Sequence, residues 1–183
     1  MISDIDTAND GNGRDSDAHD PGDWVVANEC GYLHDAQDSS WHGTHVAGTI
    51  GALSNNNIGV AGLNWLAKIL PVRVLGKCGG ETSDIVDAIR WAAGLAVVGV
   101  PANANPARVI NMSLGGYTDT GCDPSLQSAI TDAYNAGTTI VVAAGNEDDD
   151  ASNYEPSNCQ NVITVAATDR VGDRAYYSNY GSV

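Results

Sequence analysis

Three short segments hold the side chains best placed to do chemistry. The first, Ser40-Trp41-His42-Gly43-Thr44-His45-Val46-Ala47-Gly48-Thr49-Ile50, puts a histidine where a helix is expected to begin. A helix N-terminus disfavours the imidazolium, which leaves a neutral base available near neutral pH. Alone, such a histidine reads better as a capping or core residue than as a base. His42 and His45 lie three apart on one helical face, but no Glu follows His42 as the zinc-protease pattern requires, so His45 is expected to pack behind the site. The second segment, Val141-Val142-Ala143-Ala144-Gly145-Asn146, ends an apolar strand on Gly-Asn. By itself that is a turn. In a dry site, however, a fixed amide donor can lower the barrier of acyl transfer by about 3 kcal/mol, because negative charge develops on the former carbonyl oxygen. The third, Asn111-Met112-Ser113-Leu114-Gly115-Gly116, offers a backbone edge and the close approach that glycine permits, as an extended peptide needs.

These segments must be carried by regular elements, and the sequence punctuates them clearly. Residues 1–40 read as loop. Ser39 or Ser40 is expected to cap a helix from about His42 to Leu53, broken by Ser54-Asn55-Asn56-Asn57. Lys68–Leu75 has a strand pattern, irregular at Pro71. Thr82 or Ser83 should cap a helix reaching Ala93, with Ile85, Ile89 and Ala92 on one face. Val109–Ser113, Thr139–Ala144 and Val162–Ala167 are further strands. Asp123-Pro124 opens a helix to Ala136, and Gly137 ends it. Strands and helices alternating across short turns predict one α/β domain over 1–183 with a parallel sheet and helices on both faces. Sites in such sheets form at the carboxyl ends of the strands, where Ser113–Gly116 and Gly145-Asn146 fall.

Composition narrows the possibilities. The 183 residues are 43% apolar, enough for a packed core. Net charge is -15, and ten of the 23 Asp and Glu stand in residues 1–40 beside the single Arg14. So acidic a chain argues against nucleic-acid or anionic-membrane partners. Neither a P-loop nor Gly-x-Gly-x-x-Gly follows a strand, which weakens a nucleotide-binding reading. No run of about 18 apolar residues suggests a membrane span, and no signal peptide is visible. Cys30, Cys78, Cys122 and Cys159 include no Cys-x-x-Cys. Of the three pairings, Cys30–Cys78 with Cys122–Cys159 is expected, since each pair would join loops at neighbouring strand ends. Two disulfides imply an oxidising, extracellular setting; four buried thiols in a cytosolic protein are the alternative.

Together and in this order, the three segments resemble the subtilisin-like serine proteases (subtilases). Ala151-Ser152-Asn153-Tyr154-Glu155-Pro156 and Ala175–Val183 are similar to proteinase K, and the cysteines and acidic opening resemble secreted Gram-negative subtilases. The resemblance implies a subtilisin-like three-layer fold and a secreted endopeptidase that cleaves polypeptides through an acyl-enzyme. It implies His42 as general base and Asn146 as oxyanion donor. Ser113, Leu114, Gly115, Gly116, Ala144 and Gly145 would line the peptide site, with Gly79 and Gly80 as the opposite rail. Glu147, Asp148, Asp149 and Asp150 would stand by the P1 pocket, either favouring a basic P1 residue or forming a solvated acidic loop.

The strand ending in Asp-Thr-Gly and the Gly-Thr-Ser-Met-Ala segment of that family have no counterpart in residues 1–183. The expectation is a catalytic domain without its Asp-bearing strand and Ser-bearing helix. Such a chain would be inactive alone and could be completed by the missing segments. The competing reading is a non-catalytic, calcium-stabilised fragment or pseudo-protease that binds peptides. Calcium, as structural ion and not catalytic metal, is expected from the acid-rich loop Asn9–Asp23, with Asp10, Asp15, Asp17, Asp20 and Asp23 as candidate ligands. Asn55–Val60 resembles a second calcium loop of the family.

Overall fold

The computed structural model describes residues 1–183, which divide into two compact units, Met1–Ala88 and Ile89–Val183.

In the first unit the acidic segment is loop apart from α1 (Ile5–Ala8), capped by Asp4, whose side chain accepts from the Thr7 amide. Two arginines organise that loop. Arg14 donates to Asp84 at 2.6 Å and to Asp87 at 2.7 Å, and buried Asp84 also accepts from the amide and hydroxyl of Ser3. A carboxylate at 1% exposure is tolerated because charge and hydrogen-bonding capacity are both met. Arg73 donates to the Ala8 carbonyl and stands 3.6 Å from Asp20 and 3.8 Å from Asp10.

α2 (His42–Gly51) starts where the sequence predicts and stops two residues earlier. Its N-cap is not a serine: Trp41, left-handed at φ 49°, occupies that position, and the Ser40 hydroxyl accepts only weakly from the His42 amide, at 3.3 Å. Ser40 is pre-empted because its hydroxyl donates to Asp23. The strand expected over Lys68–Leu75 does not form. No strand lies beside the segment to complete a ladder, and Pro71 has no N–H to give one.

α3 (Thr82–Ala92) includes Thr82 itself, so the cap moves one residue back, to the Glu81 carbonyl, which accepts from Asp84 and Ile85. Val86, Ala88, Ile89 and Ala92 are its buried apolar residues, with Asp84 buried beside them; Ile85 is only half-buried.

The second unit is built on a parallel sheet of order β1-β3-β5, from β1 (Val109–Met112), β3 (Thr139–Ala143) and β5 (Ile163–Val165). α4 (Pro124–Asn135) makes the β1-to-β3 crossover. Asp123 caps it by accepting from the Ser125 and Leu126 amides, Pro124 opens it, and Gly137 at φ 91° follows its end. The Ser125 hydroxyl and these amides hold the Asp123 carboxyl below the usual carboxylate range. Leu126, Ala129, Ile130 and Ala133 of α4 pack on the face bearing Ile140 and Val142, all under 4% exposed, and this is the core of the unit. The α/β class with a parallel sheet is therefore as expected. On the opposite face Val109, Ile163 and Val165 are exposed, so burial alternates along β3.

Besides α1, a small antiparallel ladder was not foreseen. β2 (Gly116–Tyr117) pairs antiparallel with β4 (Tyr154–Glu155), preceded by a single 3-10 turn at Ala151–Asn153. Two-residue strands leave no periodicity to read.

Both expected disulfides are formed, Cys30–Cys78 in the first unit and Cys122–Cys159 in the second. No helix is long and apolar enough to cross a membrane.

Candidate active site

His42 is the first residue of α2 and is solvent-exposed. Trp41, in the left-handed conformation at the N-cap, immediately precedes it, and His42 leads the helix exposed. His45, expected to pack behind it, is exposed instead, since α2 buries none of its residues. Gly79, at φ 107°, and Gly80 lie in the same unit, where Gly79 bridges back to Gly76 and Gly80 sits so close to the Val74 carbonyl that a Cβ would collide with it.

In the second unit the register fixes the other residues. β1 and β3 are parallel, with Met112 opposite Val142. Ser113-Leu114-Gly115 and Ala144-Gly145-Asn146 therefore leave the sheet at the same, carboxyl, end. Gly116 turns into the β2 ladder opposite Glu155, and a Cβ on Gly115 would stand 2.7 Å from the Glu155 carbonyl oxygen. Ala144 is buried and its amide still donates to Val165. Beyond it the chain departs from the ladder: Gly145 takes φ 110°, and Asn146 presents an exposed side chain while its backbone N–H donates to the Glu147 carboxylate at 2.8 Å.

The acids after Asn146 are engaged within the chain. Glu147 accepts from the Asn146 amide and the Asn179 carboxamide, Asp148 pairs with Arg174 at 2.7 Å, and Asp150 caps the 3-10 turn. Asp149 accepts from the Asn153 carboxamide at 3.3 Å. Partial desolvation, with the carboxylates of Asp149 and Glu147 adding to it, raises the Tyr154 phenol above its usual range. Sequence reasoning missed Asn179, which is fully buried and bonds to several points of this loop. Its only signal was a position in the Ser178-Asn179-Tyr180-Gly181 run.

The five candidate calcium ligands are not brought to one point. Asp10, Asp15 and Asp17 line an open cleft with Asn9, Asn12 and His19. Asp15 and Asp17 each spend Oδ1 on a backbone amide two residues on. Asp20 accepts from the Gly22 amide beside Arg73, and both oxygens of Asp23 are bound by Ser40. Burial alone would raise the Asp23 carboxyl; Ser40's hydroxyl and amide outweigh it and hold it below the usual range. The cleft's oxygen donors suit a hard cation in kind, although no three acidic or imidazole groups converge as ligands.

The sequence profile of the subtilase family matches residues 2–183. The chain belongs to the subtilase family. The subtilase is 61% identical over 182 residues to an extracellular protease of Xanthomonas campestris pv. campestris, covering 100% of this chain and 31% of that protein. It is 51% identical over 186 residues to an extracellular basic protease of Dichelobacter nodosus, covering 100% and 30%. The chain thus spans about a third of the length of these relatives. Among solved structures, proteases from Pseudoalteromonas arctica PAMC 21717 match with a TM-score of 0.95 at 61% identity, over 99% of this chain and 52% of theirs. A cold adapted subtilisin-like serine proteinase matches with a TM-score of 0.56 at 35% identity, over 81% and 48%. The subtilisin-like fold anticipated from three short motifs is therefore this chain's fold.

Proposed function

We propose that this subtilase is part of a secreted serine endopeptidase that hydrolyses polypeptides through an acyl-enzyme. The observation that carries the reading is that the chain matches extracellular proteases along its full length, with His42 at the head of α2 in the first unit and Asn146 beyond the carboxyl end of β3 in the second. The two disulfides support an oxidising compartment. In this mechanism His42 takes the proton of an attacking serine hydroxyl as its oxygen adds to the peptide carbonyl carbon. The carbonyl oxygen gains negative charge, and the Asn146 carboxamide donates to it. His42 then passes the proton to the leaving amine, and water repeats the sequence to release the acyl group. On this reading the peptide-binding residues are Ser113–Gly116, Ala144 and Gly145 in the second unit and Gly79 and Gly80 in the first.

No serine of residues 1–183 stands in a nucleophile segment, and no strand here ends in Asp-Thr-Gly. On this reading the attacking hydroxyl, and the carboxylate that orients His42, come from other parts of the protein. Residues 1–183 produced alone are expected to take up no fluorophosphonate probe, whereas a longer product containing both segments is labelled on serine. Mass-spectrometric detection of probe on the 183-residue chain would refute this. Failure of the longer product to react would favour the pseudo-protease reading.

Calcium is proposed as a structural ion in the cleft of Asp10, Asp15 and Asp17, supported by the free carboxylate oxygens there. Chelation is expected to lower the unfolding midpoint of the longer protein. The lost stabilisation would be about 2.7 kcal/mol relative to calcium held near 100 times its Kd. Asp15→Asn should abolish most of that difference. A midpoint indifferent to chelator would remove the ion from the account.

A further inference from the structure

We infer that Asn179 is a positioning residue for Asn146, holding the Ala144–Asp149 loop in the shape that presents the Asn146 carboxamide. The inference rests on the reading of Asn146 as oxyanion donor and extends it to a residue 33 positions away in the chain.

The geometry is concentrated. The Asn179 carboxamide oxygen accepts from the backbone amides of Glu147 at 2.9 Å and Asp149 at 3.1 Å. Its nitrogen donates to the Ala144 carbonyl at 3.0 Å and to the Glu147 carboxylate at 2.8 Å. Its backbone N–H donates to the Gly145 carbonyl at 3.1 Å. The side chain is 0% exposed, so its full capacity of two donors and two acceptor lone pairs goes to this one loop. Every residue from Ala144 to Asp149 except Asn146 and Asp148 is thereby touched, and Asn146 is reached through one intermediary. The same Glu147 oxygen that receives Asn179 also receives the Asn146 amide.

Gly145 fits this arrangement. A Cβ there would collide with the Asn179 nitrogen and stand 2.6 Å from the Glu147 carboxylate, and φ 110° is a conformation that favours glycine. The loop is thus shaped around the Asn179 side chain. Asn179 is itself fixed from behind: buried Ser178 accepts from the Ala167 amide and donates to the Asn179 carbonyl. Arg174 ties the Ser178 carbonyl to Asp148. A carboxamide so placed can satisfy the loop in only one orientation, since turning it over would set its nitrogen against two N–H donors and its oxygen against a carbonyl and a carboxylate.

A kinetic cycle in the full-length protein tests this, with Asn146→Ala, Asn179→Ala and the double variant assayed on a chromogenic peptide. Asn179→Ala is expected to lower kcat roughly 10- to 100-fold with KM within about twofold. The double variant should match Asn146→Ala within about twofold, because a residue that acts through Asn146 has nothing to add once Asn146 is gone. Losses that multiply, or a fall in unfolding midpoint with kcat unchanged, would overturn the inference while leaving Asn146's role intact. If Asn146→Ala keeps the parent kcat, the oxyanion reading fails first and takes this inference with it. Should Asn179→Ala not fold, Glu147→Ala cuts the same link at an exposed residue. It is expected to lower kcat several-fold in the presence of Asn146 and not in its absence; an equal loss in both backgrounds would overturn the inference.

Discussion

Replacing His42 with alanine in the longer protein is expected to lower kcat about 10⁶-fold, the scale known when the base of subtilisin's own triad is removed and not one read from this geometry. In the proposed mechanism the loss is large because a serine hydroxyl is a weak nucleophile until a base takes its proton as it attacks, and because the same imidazole would later protonate the leaving amine. His42 heads α2 and is exposed, with no packing role to lose, so the variant should keep the unfolding midpoint of its parent. That separates chemistry from folding: an inactive variant that also unfolds early would point to a structural histidine. His45→Ala supplies the contrast. It lies three residues on along the same exposed helix, and activity is expected to survive its loss. Equal damage from both substitutions would argue that α2, and not His42, had been disturbed.

Asn146→Ala is the second large effect, a fall in kcat of about 10²–10³ with KM little changed. Here too the magnitude belongs to subtilisin, whose oxyanion-hole asparagine is the standard measured case. On the proposed reading, the exposed Asn146 side chain would meet the substrate oxygen most strongly once negative charge has developed there, so its removal would raise the barrier and hardly affect ground-state binding. Asn146→Asp should be at least as damaging, since a carboxylate in that place repels the developing charge. Stopped-assay kinetics on a short peptide distinguish this from a lost binding contact, which would raise KM at constant kcat.

What could be read from the sequence followed the range of the forces involved. Asp123-Pro124 and Gly137 bracket α4 through purely local chemistry, a side-chain cap, a preset φ and a left-handed exit, so both ends were legible. β1, β3 and β5 were visible as apolar runs, though each came out shorter because pairing, not apolarity, sets where a ladder ends. Lys68–Leu75 shows the same rule from the other side: the pattern is that of a strand, yet a strand exists only where a neighbour pairs with it. The cap of α2 failed for a different reason. Ser40 has the right chemistry, but Asp23, 17 residues earlier, claims its hydroxyl. The roles proposed for His42 and Asn146 come from the motifs around them, and the structure adds where each stands, at the head of α2 and beyond the end of β3. Asn179 was not legible, because its meaning lies in contacts across more than 30 residues that no local pattern encodes. The spread of the acidic ligand candidates was equally hidden, since Arg73 and Ser40 divide them in space and not in sequence.

The bridge between Cys122 and Cys159 has a bearing on how long such a molecule would last among proteases. It closes a covalent ring with a sequence separation of 37, and that ring contains α4, β3 and the exposed turn at Asn146–Asp148. Exposed turns are where chains are nicked. A single cut anywhere between Asp123 and Asn158 opens the ring without freeing either part, because both ends stay joined through sulfur. The severed edges remain at high effective concentration, and the packing of α4 on β3 can hold them in place. A cut at the exposed turn of Asn146–Asp148 would then show as a second band only after reduction, in a protein that otherwise still holds together.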